Sequence, residues 1–144
     1  MAEANRMLVE RIFQDARFVQ SLGIELRGVG FGWCETKLKV LPEHRQQHGL
    51  IHAGVLMTIA DHTCGGAAAS TMPMDKDVIT VEDNLSFLRP ASGAVLICRA
   101  EVLRSGKTLV FVEADVFAER EGERVLAVKA SSTLAVIPLA QREK

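Results

Sequence analysis

Asp61 is the single acid in a run of small and apolar residues, AGVLMTIADHTCGGAAAS, that covers 53–70. A carboxylate in such surroundings is costly unless it is solvated, paired or protonated. Groups of this kind gather where a base or nucleophile is needed, although an Asp inside a helix can also face a wet crevice or bond backbone. All four histidines, His44, His48, His52 and His62, fall in the same part of the chain. Spacings of four would suit a metal on one helical face. Pro42, Gly49 and Gly54 interrupt any single helix through them, so no metal site is expected. Cys64 follows Asp61 by three residues and has no basic partner fixed beside it in sequence. A thiol in an apolar helix is ordinarily inert packing. Ser105-Gly106-Lys107-Thr108 contains GKT but lacks the first glycine of a phosphate loop. It also joins two strand-like segments, so a hairpin turn is expected there.

The elements that must hold these residues follow from periodicity. Residues 5–21 have helical spacing, with Leu8, Ile12, Phe13, Ala16 and Val19 on one face and Gly23 as a stop. Residues 24–40 turn towards period two. Thr36, Leu38 and Val40 alternate with Glu35, Lys37 and Lys39, while Gly28, Gly30 and Gly32 mark a turn or bulge. Residues 42–51 read as a loop. The 53–70 run is apolar on nearly every side, which predicts a buried helix. Gly65, Gly66, Ala67, Ala68 and Ala69 leave room there for an acyl group or for close packing. Strands are predicted at 79–88, 94–103, 108–118 and 125–136, joined by short links and forming an antiparallel meander. Helix, two strands, buried helix and four strands make an α+β chain. One curved sheet must wrap the long helix, because nothing else in the chain can bury all of its faces.

The 144 residues suit one domain, 1–144. With 48% hydrophobic residues there is enough apolar surface for a core. The net charge of −1, the absence of Tyr and 5% aromatics argue against a nucleic-acid partner. Cys34, Cys64 and Cys98 are odd in number and widely spaced, which fits free thiols in a reducing compartment. No signal-like or membrane-spanning run is present, so a cytoplasmic protein with no membrane partner is expected.

QQHGLIHAGVLMTIAD resembles the helix-start motif of the PaaI-like acyl-CoA thioesterases, which have the hotdog fold. That motif has an Asn, five further residues, His-Gly-Gly, and an acid nine positions after the His. His52 and Asp61 have that spacing. ITVEDNLSFLRPA and VLRSGKTLVFVEADVF are similar to the family's following strand and hairpin, and the resemblance spans roughly 25–138.

The resemblance implies a thioesterase that hydrolyses an acyl or aryl-acyl thioester and needs no cofactor. Asp61 would be its general base or nucleophile. Ala53, at the first Gly, would offer its N–H to the thioester carbonyl. Gln46, in place of Asn, would hold carbonyl or water, with Gln47 or His48 as neighbouring substitutes. Thr80 would orient the water, and His52 would brace the loop. Gly54, Arg89, Arg104 and Lys107 would contact the acyl-CoA. Two groups eight residues apart on one helix lie roughly 12 Å apart along its axis, so a site using Asp61 and Ala53 would need two chains. The implied assembly is a homodimer or a homotetramer built as a dimer of dimers. A 3-hydroxyacyl-thioester dehydratase using His52 with Asp61, and a non-catalytic acyl-ligand binding protein, are the competing expectations.

Overall fold

The computed structural model describes residues 1–139, with every side chain among them except that of Ala4. In chain order the elements are α1 (Glu3–Asp15), α2 (Arg17–Leu22), β1 (Ile24–Gly30), β2 (Trp33–Lys39), one 3-10 turn (Pro42–His44), α3 (Ala53–Ala69), β3 (Lys76–Phe87), β4 (Val95–Ser105), β5 (Leu109–Arg120) and β6 (Glu123–Pro138). The strands form one antiparallel sheet in the order β1-β2-β4-β5-β6-β3. All six strands touch α3, so the sheet curves around the helix in the expected α+β hotdog arrangement. No helix among the described residues is long and apolar enough to cross a membrane.

Residue size explains how close the helix comes to the sheet. Ala67, Ala68 and Ala69 are fully buried. A Cβ on Gly66 would sit 2.7 Å from Cys34 Sγ on β2, so only glycine fits there. These small residues therefore serve packing. Val55, Leu56 and Ile59 fill the same core, each contributing about 1.5–3 kcal/mol by burial. The polar pair Thr36 and Thr63 is satisfied inside it, Oγ1 to Oγ1 at 2.7 Å.

Two expectations are corrected. The N-terminal helix is broken at Ala16, whose φ of −79° and ψ of 88° are not helical. On a straight helix Phe13 and Val19 would point about 120° apart. The break lets both become buried, and Gln20 Nε2 donates to the Phe13 carbonyl near the break. The meander is also shorter than expected. β4, β5 and β6 are consecutive neighbours, and Glu121 and Gly122 take the paired positive φ values of a two-residue hairpin. β3 does not pair with β4 but lies beyond β6. The Pro90-containing link between them is no tight turn. It leaves β6 through bonds from the Leu88 and Arg89 N–H groups to the Ala127 carbonyl, bonds the Ile51 N–H, and reaches β5 where the Ala94 N–H bonds Glu119. β3 thereby becomes a twelve-residue edge strand. Ile79, Val81, Phe87 and Leu88, on it and at its end, are about half exposed, at 49–57%.

Candidate active site

Asp61 lies about two turns into α3 and is half-buried. β3 supplies its partners through an irregularity in the strand. Thr80 pairs with Leu134 and Asp83 with Ser132, and the register shifts between Thr80 and Glu82. Without that bulge, side chains 80 and 83 would point to opposite faces. With it, Thr80 and Asp83 share the face that looks at α3. Thr80 Oγ1 donates to Asp61 Oδ1 at 2.8 Å. The Asp83 carboxyl opens into the same cleft as that of Asp61, and desolvation, with the Asp61 carboxyl adding to it and the Ser132 hydroxyl opposing it, pushes Asp83 up to about 6. Phe18, Val19, Met57, Thr58 and His62 complete the lining of this cleft.

Neighbouring groups are poorly suited to proton transfer. Burial lowers His62 to about 4, its ring meets Phe13 edge-on, and its Nε2 has no partner among the described residues. Burial pushes the Cys64 thiol far above the ordinary range, with the Asp83 and Asp61 charges adding to it, which removes Cys64 as a nucleophile.

A second constellation forms at the start of α3. His52 is the N-cap, and its Nδ1 accepts the Gly54 N–H at 2.8 Å. A Cβ on Gly54 would approach that nitrogen to 3.0 Å. The Val55 and Leu56 N–H groups bond the His52 carbonyl. Among the described residues the Ala53 N–H has no acceptor, at the positive end of a seventeen-residue helix. Gln46 Oε1 accepts the His48 N–H and its backbone N–H bonds Leu50, so the loop is fixed while the side-chain NH2 stays free to donate. The cleft here measures about 380 Å³ and is lined by Gln46, Gln47, Ile51, His52, Ala53 and Arg89, among others. Arg89 sits at its rim, with Nη1 bonded to the Leu126 carbonyl.

The four histidines have separate places. His44 is buried and accepts the Leu41 N–H at Nδ1, His48 is exposed, His52 caps α3 and His62 faces Phe13. Among the described residues no three of His, Cys, Asp or Glu are grouped to hold a metal ion.

The structure thus brings Gln46, His52, Ala53, Gly54 and Arg89 together in one place, and Asp61 with Thr80 in another. The Gly54 N–H is taken by the cap, which leaves that of Ala53 as the available donor. Arg104 and Lys107 join neither place. Their turn is tied to the far end of α3 by Thr71 Oγ1 and Ser105 Oγ, 2.8 Å apart, roughly 25 Å by helical rise from the helix start. Asp83 is the residue that sequence reasoning missed. The alternation Asp83, Leu85, Phe87 was the available signal, since a polar residue at an inward position needs a partner.

The family model of the thioesterase superfamily matches residues 48–125. A solved thioesterase family protein from Silicibacter pomeroyi is 33% identical, with a TM-score of 0.91 over 93% of this chain and 98% of that one. Acyl-coenzyme A thioesterase 13 of Homo sapiens is 27% identical across 87% of this chain and 90% of its own length. The PaaI protein of Escherichia coli, at 17% identity, shares the fold with a TM-score of 0.82 over 93% of this chain and 94% of that one. An unpaired amide at a helix start, a carboxylate held on the same helix and this fold agree with those matches: the chain belongs to the thioesterase superfamily, as a hotdog-fold enzyme of thioester hydrolysis.

Proposed function

We propose that the chain is an acyl-CoA thioesterase whose active site is completed by a second copy of itself. One observation carries the reading. The free Ala53 N–H and the Thr80-held Asp61 open into separate clefts of one chain. They stand roughly 12 Å apart along α3. No single carbonyl can meet both within a protomer. The edge strand β3 supports the same reading, because its outer side is unpaired and apolar groups cluster along it. Two β3 edges pairing antiparallel about a twofold axis would continue the sheet and cover those groups. Each copy would then contribute Asp61 to one site and Ala53 to the other, in a dimer or a dimer of dimers.

In that site Asp61 takes a proton from water as the water oxygen bonds the thioester carbon. The carbonyl electron pair moves onto oxygen, where the Ala53 N–H, the helix dipole and the Gln46 side-chain NH2 stabilise it. Collapse breaks the carbon–sulfur bond, and the CoA sulfur leaves with the proton from Asp61. Direct attack by the Asp61 carboxylate is the variant route, since the same position suits a nucleophile. Thr80 keeps Asp61 in one orientation. His52 holds the helix start in place. Arg89, at the cleft rim, and Arg104 and Lys107, reaching in from elsewhere in the assembly, are the cations for CoA phosphates. The buried thiols fit a reducing, cytoplasmic setting.

The test is a panel of acyl- and aryl-acyl-CoA thioesters with thiol release measured for the wild type and Asp61→Asn. Hydrolysis that falls on the order of 10²–10⁴-fold in the variant, with its fold intact, is expected. Wild-type turnover by Asp61→Asn on the best thioester contradicts the mechanism. Reversible hydration of an enoyl thioester without hydrolysis contradicts the reaction.

A further inference from the structure

Two carboxyls in one small cleft cannot both ionise cheaply. Asp83 and Asp61 open into the same cleft, and two carboxyls that meet there can share a hydrogen bond only when one of them holds a proton. The bulge between Thr80 and Glu82 is what turns Asp83 towards α3. Every element around the pair is poor in positive charge. From α3 come Asp61, the neutral His62 and the un-ionised Cys64 thiol. From β3 comes the Thr80 hydroxyl, already spent on Asp61. From β6 comes Ser132, paired in register with Asp83, and α2 adds only Phe18 and Val19. Among the described residues no Lys or Arg lines the cleft. The Ser132 hydroxyl favours a charge on Asp83, but no cation lines the cleft to offset a second negative charge.

We propose that Asp83 is a positioning residue for the base, holding the one proton of the pair and donating it as a hydrogen bond to ionised Asp61. Asp61 then receives two oriented donors, Thr80 Oγ1–H and the Asp83 O–H. These fix its rotamer beside apolar walls. Asp83 is more exposed than Asp61 in a lone chain. A second copy seated on β3 would remove water from the pair and move the Asp83 titration further up. The dependence on pH follows directly. As pH rises through that titration the proton leaves, the donor becomes a repelling charge, and Asp61 loses its orientation.

The inference rests on the thioesterase reading for its rate measurements alone. Its first test needs no turnover. The full-length protein labelled with ¹³C at aspartate carboxyls is titrated by NMR, with Asp83→Asn assigning the signal. Asp83 is expected to titrate at about 6 or above, and Asp61→Asn to bring it down by about one unit or more, towards the ordinary range. An Asp83 signal that titrates at about 4 with surface carboxylates, or that ignores Asp61→Asn, overturns the proposal. In the rate test, Asp83→Leu should lose on the order of 10–10²-fold in kcat with KM held. Asp83→Asn, which keeps a donor that does not titrate, should recover several-fold over Leu and flatten the basic limb. A basic limb identical in wild type and both variants overturns the proposal while Asp61-dependent hydrolysis stands. Failure of Asp61→Asn to slow hydrolysis, with the NMR pairing intact, overturns the reaction assignment and leaves the pair in place.

Discussion

In the proposed mechanism the start of α3 and its middle carry different kinds of chemistry. At the start the proposed working group is main chain, the Ala53 N–H, and its position depends on a cap and a fixed loop. In the middle the proposed working group is a side chain, Asp61, and its position depends on the Thr80 hydroxyl of β3, with Asp83 in the same cleft. Backbone chemistry tolerates a change of side chain as long as the φ/ψ geometry survives. Side-chain chemistry does not. The two departures from the family motif fall in the tolerant region. Ala53 replaces Gly at a helical position where the proposed mechanism uses only the N–H, and Gln46 replaces Asn in a loop already held by backbone bonds. The intolerant region keeps its acid at the family spacing.

Substitutions can widen or close that contrast. Asp61→Asn should give the largest loss, on the order of 10²–10⁴-fold in kcat, because the amide cannot accept the water proton. A loss under tenfold would place the base elsewhere. Asp83→Leu, acting through Asp61, should fall between this and the cap variant. His52→Ala should cost less. A cap is worth roughly 1 kcal/mol, and a comparable change in transition-state binding is on the order of 5–10-fold in kcat. A lower Tm should accompany it, measured by calorimetry. Equal losses for His52→Ala and Asp61→Asn would mean that His52 meets the substrate directly, as in the dehydratase reading. The smallest effect belongs to Arg104→Ala with Lys107→Ala. Exposed cations at a turn give modest, salt-screened binding, so KM for acyl-CoA should rise a few-fold with kcat held. A truncated thioester without the nucleotide should be nearly indifferent, and equal effects on both substrates would remove this turn from CoA binding.

The difference between the two regions also governs what could be read in advance. α3 was expected at 53–70 and spans Ala53–Ala69, because composition alone marks a helix buried on most sides. The four later strands lie within three residues of their expected ends, since alternation and turn residues are local signals. The helix start was legible for the same reason, its cap and its motif being contiguous in sequence. The surroundings of Asp61 were not. They depend on β3 crossing to the far side of β6, a long-range pairing that carries no local mark. They also depend on one extra residue in β3, which reverses the alternation and turns Asp83 inward beside Thr80. The break at Ala16 was hidden too, because it answers to where Phe13 and Val19 must point in the assembled core.

Mixing two inactive variants tests the shared site most directly. Asp61→Asn removes the proposed base. Ala53→Pro removes the one free N–H at the first helical position, where a helix accepts proline, and His52 already has the extended φ of −61° and ψ of 138° suited to preceding it. Each homodimer should be nearly inactive. In a mixed dimer one site carries both lesions and the other carries neither, so random re-association should restore about a quarter of wild-type activity per chain. Mixed dimers shown by mass spectrometry to form, yet as inactive as their parents, would place both groups in one chain and contradict the account.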